Sequence, residues 1–175
     1  MITSFRIYPD VDYTYQIEIV DCTASTAFDA FHKCENVYLE NAVESYWRSL
    51  HHDNWPWIEV VLRDEYFVKK LKILQTNIDN YWFKDTIIEF SDGSQFNHTL
   101  NNQSGWITVK LPDTIRSHFV KLIQKTGWGS YTGISKIQAF GYRTGNLAGV
   151  NKVQNSRRDI SFEVNCYDIY IFQNV

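Results

Sequence analysis

A hydrophobic period of two residues, broken by turn-forming clusters every ten or so positions, is the feature that most restricts this chain. In "WIEVVL", Ile58, Val60 and Leu62 fall on one side of an extended chain. In "VKKLKILQ", Leu71 and Ile73 point one way while Lys70 and Lys72 point the other. The same alternation runs through Ile88 and Phe90, through Ile107, Val109 and Leu111, and through Val120 and Leu122. Successive side chains of a strand point to opposite faces, so each run reads as a strand with one face on a core. Helical spacing competes only around Tyr38 to Trp47, over barely two turns. Ser91-Asp92-Gly93-Ser94 predicts a hairpin turn between "TIIEF" and "QFNHTL". Asn101 to Gly105 reads as a polar loop, Pro112-Asp113 as a strand end, and Gly127, Gly129 and Gly133 as punctuation. Short strands at this spacing predict a sandwich or barrel.

At 175 residues the chain suits one domain, or one domain plus an appendage. A chain of this size buries roughly 70% of its unfolded surface, so a core forms without staples. From Tyr142 to Asp159 the pattern lapses into polar, Gly- and Asn-rich sequence; alternation then resumes at Ile160, Phe162 and Val164. We therefore divide the chain into a β-domain over 1–145, a linker or long loop over 146–159 and an additional strand over 160–175. That strand is placed on the sandwich or in a self-association interface. The net charge of −3 argues against nucleic acid, which calls for a basic stripe. No run of about 20 apolar residues crosses a membrane as a helix. The N-terminus lacks a basic start and an apolar stretch, so the compartment is extracellular only if a signal has been removed, and cytoplasmic otherwise.

Three cysteines, Cys22, Cys34 and Cys166, exclude complete pairing. Free buried thiols are the first expectation; one disulfide plus one thiol is the second. No cysteine or histidine cluster completes a zinc pattern. His51, His52 and Asp53 are adjacent and would point to opposite faces of an extended chain, so no metal site is expected. No nucleophile elbow or phosphate-binding glycine loop occurs, and no catalytic residue is assigned. Two sequons, Asn97-His98-Thr99 and Asn102-Gln103-Ser104, arise often by chance. Aromatics, at 16%, carry the functional signal. Trp47, Trp57 and Phe119 fit strand interiors. Trp55, Tyr81, Trp82, Trp106 and Trp128 sit at loop–strand junctions, either as lids over the core or as platforms for a sugar's C–H face. His51, Asn54, Asn80 and Gln103 would supply hydrogen bonds beside them.

"ENAVESYWRS", "NWPWIEVVLRDEYFVKKLKIL", "YWFKDTIIEFSDGSQF" and "IRSHFVKLIQKTGWGSYTGISKIQAFGY" occur in that order. The arrangement resembles a coagulation-factor type C (discoidin) domain over residues 22–142. The resemblance implies an all-β jelly-roll sandwich of the galactose-binding-like kind. It implies a ligand at loops of one end, carried by His51, Asn54 and Trp55, by Tyr81 and Trp82, and by Trp128 and Tyr131. Carboxylates that help hold structural calcium in sugar-binding relatives are missing here: Glu44-Ser45-Tyr46 replaces one group and Gln138 another. No cofactor is therefore expected. The end-to-end disulfide of secreted relatives would need Cys22 to pair with Cys166.

The leading expectation is a non-catalytic module that recognises a galactose-like glycan or glycoprotein. The alternative is a protein-interaction or assembly module using the same fold and aromatics, with self-association through the C-terminal segment. Lipid binding at a membrane surface ranks third, because the "HHDNW" and "NIDNYW" loops carry Asp rather than basic residues.

Overall fold

The computed structural model describes residues 15–39, 45–51, 53–78 and 81–143. The 146–159 linker, the 160–175 strand and Cys166 lie outside the described residues. The strands are β1 (Tyr15–Ile17), β2 (Ile19–Ala24), β3 (Trp47–Arg48), β4 (Trp57–Gln75), β5 (Asp85–Phe90), β6 (Gln95–Thr99), β7 (Gly105–Gln124) and β8 (Gly133–Arg143). All pairings are antiparallel, in the order β1-β8-β4-β7-β5-β6, with β2 also on β4 and β3 also on β8.

The two longest strands build both layers of the sandwich. The first half of β4 pairs with β2 and with the last turnings of β7, as in Ile58↔Leu122 and Val60↔Val120. Its second half pairs with β8 and the start of β7, as in Leu71↔Ala139 and Leu71↔Val109. Register breaks between Val61 and Tyr66 and again between Val68 and Lys70. The second break changes parity. Ile58, Val60, Leu62, Tyr66 and Val68 are buried, then Leu71 and Ile73. An extra residue in one strand rotates every later side chain to the other face, and here it keeps the apolar set on the core as the strand bends. In β7 the buried set likewise moves from Ile107, Val109 and Ser117 to Val120 and Leu122. The Ser117 hydroxyl pins that bend by accepting from the Ser91 amide at 2.9 Å.

The alternation read from the sequence thus marks the core-facing residues, with Leu111 only partly buried. The hairpin forms where expected: Gly93 takes φ +83°, and its amide donates to Phe90 O at 3.0 Å. Three expectations need correction. Pro112 does not end a strand; β7 continues through it. It sits where pairing to β4 skips from Lys110 to Ile115, so its missing N–H costs no ladder bond. The short helix is a 3-10 turn at Cys34–Val37, ahead of the segment with helical spacing, of which 40–44 lie outside the described residues. Finally, Cys22 and Cys34 are not free thiols: they form a disulfide, with Cα atoms 5.9 Å apart, linking β2 to the 3-10 turn. Trp47 is fully buried, whereas Trp57 and Phe119 are half-buried.

Replacing Cys22 and Cys34 together by Ser should lower unfolding stability by roughly 2–4 kcal/mol, read from urea melts, because the bridge closes a short loop in the unfolded chain. Gly141→Ala should also destabilise, by about 1–3 kcal/mol or more. A Cβ there would stand 1.9 Å from Phe67 O, a backbone atom that cannot step aside.

Candidate functional site

Strand β3 is only two residues long, yet it organises one end of the molecule. Neighbours on a strand point oppositely. Trp47 therefore enters the core, and Arg48 emerges on the outer side. The Trp47 indole donates to Thr26 O at 2.8 Å. The Phe28 amide donates to Arg48 O at 2.8 Å, and the Arg48 amide to His32 O at 3.2 Å. These bonds stitch the 25–33 loop to β3. On the other side the Ser49 amide donates to Thr132 O at 3.0 Å, which draws in the Gly-rich loop and Tyr131. Gly133 permits this approach, since a Cβ there would meet Trp47 O at 2.8 Å.

The result is an aromatic collar around one guanidinium. The Arg48 guanidinium carbon lies 3.8 Å from the Phe28 ring centre, and 4.7 Å from those of Tyr81 and Tyr131. The rings also touch one another: Tyr81 on Tyr131 at 5.0 Å, His51 on Tyr131 at 4.9 Å, Tyr46 on Tyr81 at 5.9 Å and His32 on Tyr46 at 4.7 Å. Each cation–ring contact contributes about 0.5–2 kcal/mol, more as water is excluded. The face is thus pre-set: a forked donor group held rigidly among flat apolar rings. Arg48 Nε is buried and has no hydrogen-bond acceptor among the described residues.

Charged groups around the collar are largely engaged. Asp29 accepts from the amides of Phe31 and His32 and pairs with the His32 ring at 2.7 Å. Partial desolvation raises its pKa, but the hydrogen bonds from His32 and the Phe31 amide prevail and hold it below 3.8. Burial, with Tyr81 and Asp29 nearby, pushes the Tyr46 phenol above 10.0 despite the opposing pull of Arg48. Tyr46 is therefore a neutral donor at physiological pH.

The structure brings together His51, Tyr81 and Tyr131 of the residues expected at the ligand end. Asn54 joins them through a cleft of about 450 Å³ that it shares with Thr26, Phe28, Leu50, His51 and Asp53. Trp55 stands 60% exposed on the loop that follows. Trp128 is partly exposed; its ring meets the Lys84 ammonium, its indole donates to Leu100 O and its amide donates to Trp82 O at 2.9 Å. Trp82 does not reach the rim. It is 7% exposed, and its indole donates to Thr76 O at 2.6 Å, supporting the loop that presents Tyr81. Asn80 lies outside the described residues, and Gln103 is exposed on the β6–β7 loop. The reading missed Arg48, Phe28, His32 and Tyr46. A signal existed: Arg48 is the one Lys or Arg between Lys33 and Arg63, next to Tyr46 and Trp47.

A second cleft, of about 370 Å³, is lined by Asp85, Thr86, Asn97, His98, Thr99, Lys125 and Thr126. Its polar groups satisfy one another: Asp85 accepts the Thr126 hydroxyl at 2.6 Å and the Thr99 hydroxyl at 2.9 Å. For a metal, the Cys22, Cys34 and Glu35 cluster is spent on the disulfide. The Lys136 ammonium donates to Asn36 O at 2.7 Å and Leu39 O at 2.6 Å. A cation of the chain already holds those carbonyls, and burial lowers its pKa. Calcium needs several anionic oxygens; the described residues here offer two carbonyls already held by an ammonium and the neutral Gln138, which do not fit it.

The F5/8 type C domain model matches residues 21–140. No curated protein matches in sequence. Solved structures share the fold. The family 32 carbohydrate-binding module of Clostridium perfringens NanJ, in complex with galactose, is 14% identical with a TM-score of 0.61, over 69% of this chain and 92% of that one. A second C. perfringens family 32 module, bound to GalNAc-β-1,3-galactose, is 13% identical with a TM-score of 0.62, over 69% and 94%. A fucolectin from striped bass (Morone saxatilis) serum is 16% identical with a TM-score of 0.61, over 73% and 50%.

Trp82→Phe removes the indole bond to Thr76 O and leaves part of the indole's space unfilled. It should cost about 1–2 kcal/mol in thermal or urea melts, the cost of an unpaired buried carbonyl.

Proposed function

Because the chain belongs to the F5/8 type C domain family, we propose that it is a non-catalytic carbohydrate-binding module whose ligand rests on the Arg48 collar. The observation that carries this reading is the guanidinium fixed against Phe28, Tyr81 and Tyr131. Sugar recognition needs two chemistries at one place: an apolar plane for the C–H face of a pyranose and rigid donors for its hydroxyl oxygens. Arg48 and the neutral Tyr46 phenol supply donors, and Tyr81, Tyr131 and His51 supply planes. A galactose-like sugar is the first candidate, since similar structures are complexes with galactose and with GalNAc-β-1,3-galactose.

The module is proposed to work without calcium, the Lys136 ammonium taking the part of a structural cation beside the 3-10 turn. The Cys22–Cys34 bridge supports an oxidising compartment, outside the cell or in a secretory lumen.

A panel of monosaccharides, titrated calorimetrically, should yield one that binds with Kd about 0.1–1 mM, or roughly 4–5.5 kcal/mol. Arg48→Ala should weaken it at least tenfold, about 1.4 kcal/mol, and Tyr131→Ala several-fold. No binding by any saccharide at millimolar concentration would end this reading. Chelator or added calcium should shift neither the affinity nor the melting temperature; a rise of several degrees with calcium would refute metal independence.

A further inference from the structure

We infer that the cleft beside the collar is a second subsite, which holds the next ring of a saccharide by its apolar face. The module's ligand is then a chain of at least two sugars. This rests on the proposed carbohydrate function. The cleft is continuous with the collar, because two residues wall both. Phe28 covers the Arg48 guanidinium on one side and lines the cleft on the other. His51 packs on Tyr131 and also lines the cleft. At about 450 Å³ it falls within the range of small-molecule clefts, roughly 300–1,000 Å³.

Its polar floor is already spent. Asp53 Oδ2 accepts the hydroxyls of Ser25 and Thr26, and Asp53 Oδ1 accepts the Trp55 amide at 3.3 Å. The Thr26 hydroxyl oxygen also accepts the Leu50 amide at 3.0 Å. The carboxylate is therefore a buttress of the loop and offers little to a charged ligand. What the cleft presents is largely apolar: Phe28 is 42% and Leu50 47% exposed, with Asn54 also in its lining. Two apolar walls and one amide suit a pyranose, which has a C–H face and a rim of hydroxyls. A rigid floor costs no ordering on binding.

The test compares whichever monosaccharide binds in the panel with disaccharides that extend it at each ring position, using the full chain and calorimetry. At least one disaccharide should bind five-fold tighter or better. Leu50→Ser should bring the ratio of disaccharide to monosaccharide affinity back to about one, with the melting temperature as the control for folding. The inference is overturned if every disaccharide falls within twofold of the monosaccharide, or if Leu50→Ser retains the gain. A propyl glycoside matching the best disaccharide also overturns it, assigning the cleft to an apolar aglycone. Failure of every monosaccharide and disaccharide to bind would instead remove the carbohydrate reading on which it stands.

Discussion

The opposed orientation of Trp47 and Arg48 is the constraint on which both fold and site depend. One peptide unit separates a side chain fixed in the core from a side chain fixed in the aromatic collar. The indole bond to Thr26 O and the backbone bonds from Phe28 and to His32 attach the first loop to this unit. The Ser49 amide attaches the Gly-rich loop. Loops distant in sequence thereby deliver Phe28 and Tyr131 to the same guanidinium. Rotating Trp47 out of the core would turn Arg48 inward, where an ion without an acceptor is expensive. Core packing thus fixes the donor's direction.

A second constraint acts at the scale of the layers. β4 and β7 each serve two sheets, and a strand that bends between sheets must change the parity of its buried residues. The chain writes this change directly as Val68 followed by Leu71, and Ser117 followed by Val120. The hydroxyls of Ser117 and Ser91 occupy the bend, where backbone groups would otherwise lose partners. Pro112 belongs to the same economy, placed where the ladder already skips. The bends let the two layers close over one core and leave the loops gathered at an end.

Rigidity at that end comes from polar groups that spend themselves on each other. Asp53 holds Ser25 and Thr26, Asp29 holds the His32 turn, and Lys136 holds the carbonyls of Asn36 and Leu39. The disulfide joins β2 to the turn that follows the first loop. What this end leaves outward is a guanidinium, a set of rings and an apolar cleft. Under the proposed function, such a surface would gain affinity from being ready-made, since little entropy is lost on contact.

The sequence by itself determined the apolar alternation of β4, β5, β7 and its buried face, the β5–β6 hairpin and the family, but not the short strands β1 to β3 or the continuity of β7 through Pro112. Each rests on a local period or a turn geometry that neighbouring residues specify. Through the resemblance it also grouped His51, Tyr81 and Tyr131, which the structure brings into contact. Tertiary structure alone decided which aromatics face outward. Trp82 and Tyr81 are adjacent and alike in composition, but Trp82 finds a buried acceptor in Thr76 O and Tyr81 finds Arg48. It alone chose Cys34 as the partner of Cys22, because pairing follows where β2 and the 3-10 turn meet in space. The collar belongs to the same class: Phe28, Arg48, Tyr81 and Tyr131 are spread over about a hundred residues, and only the closing of the sandwich makes them neighbours.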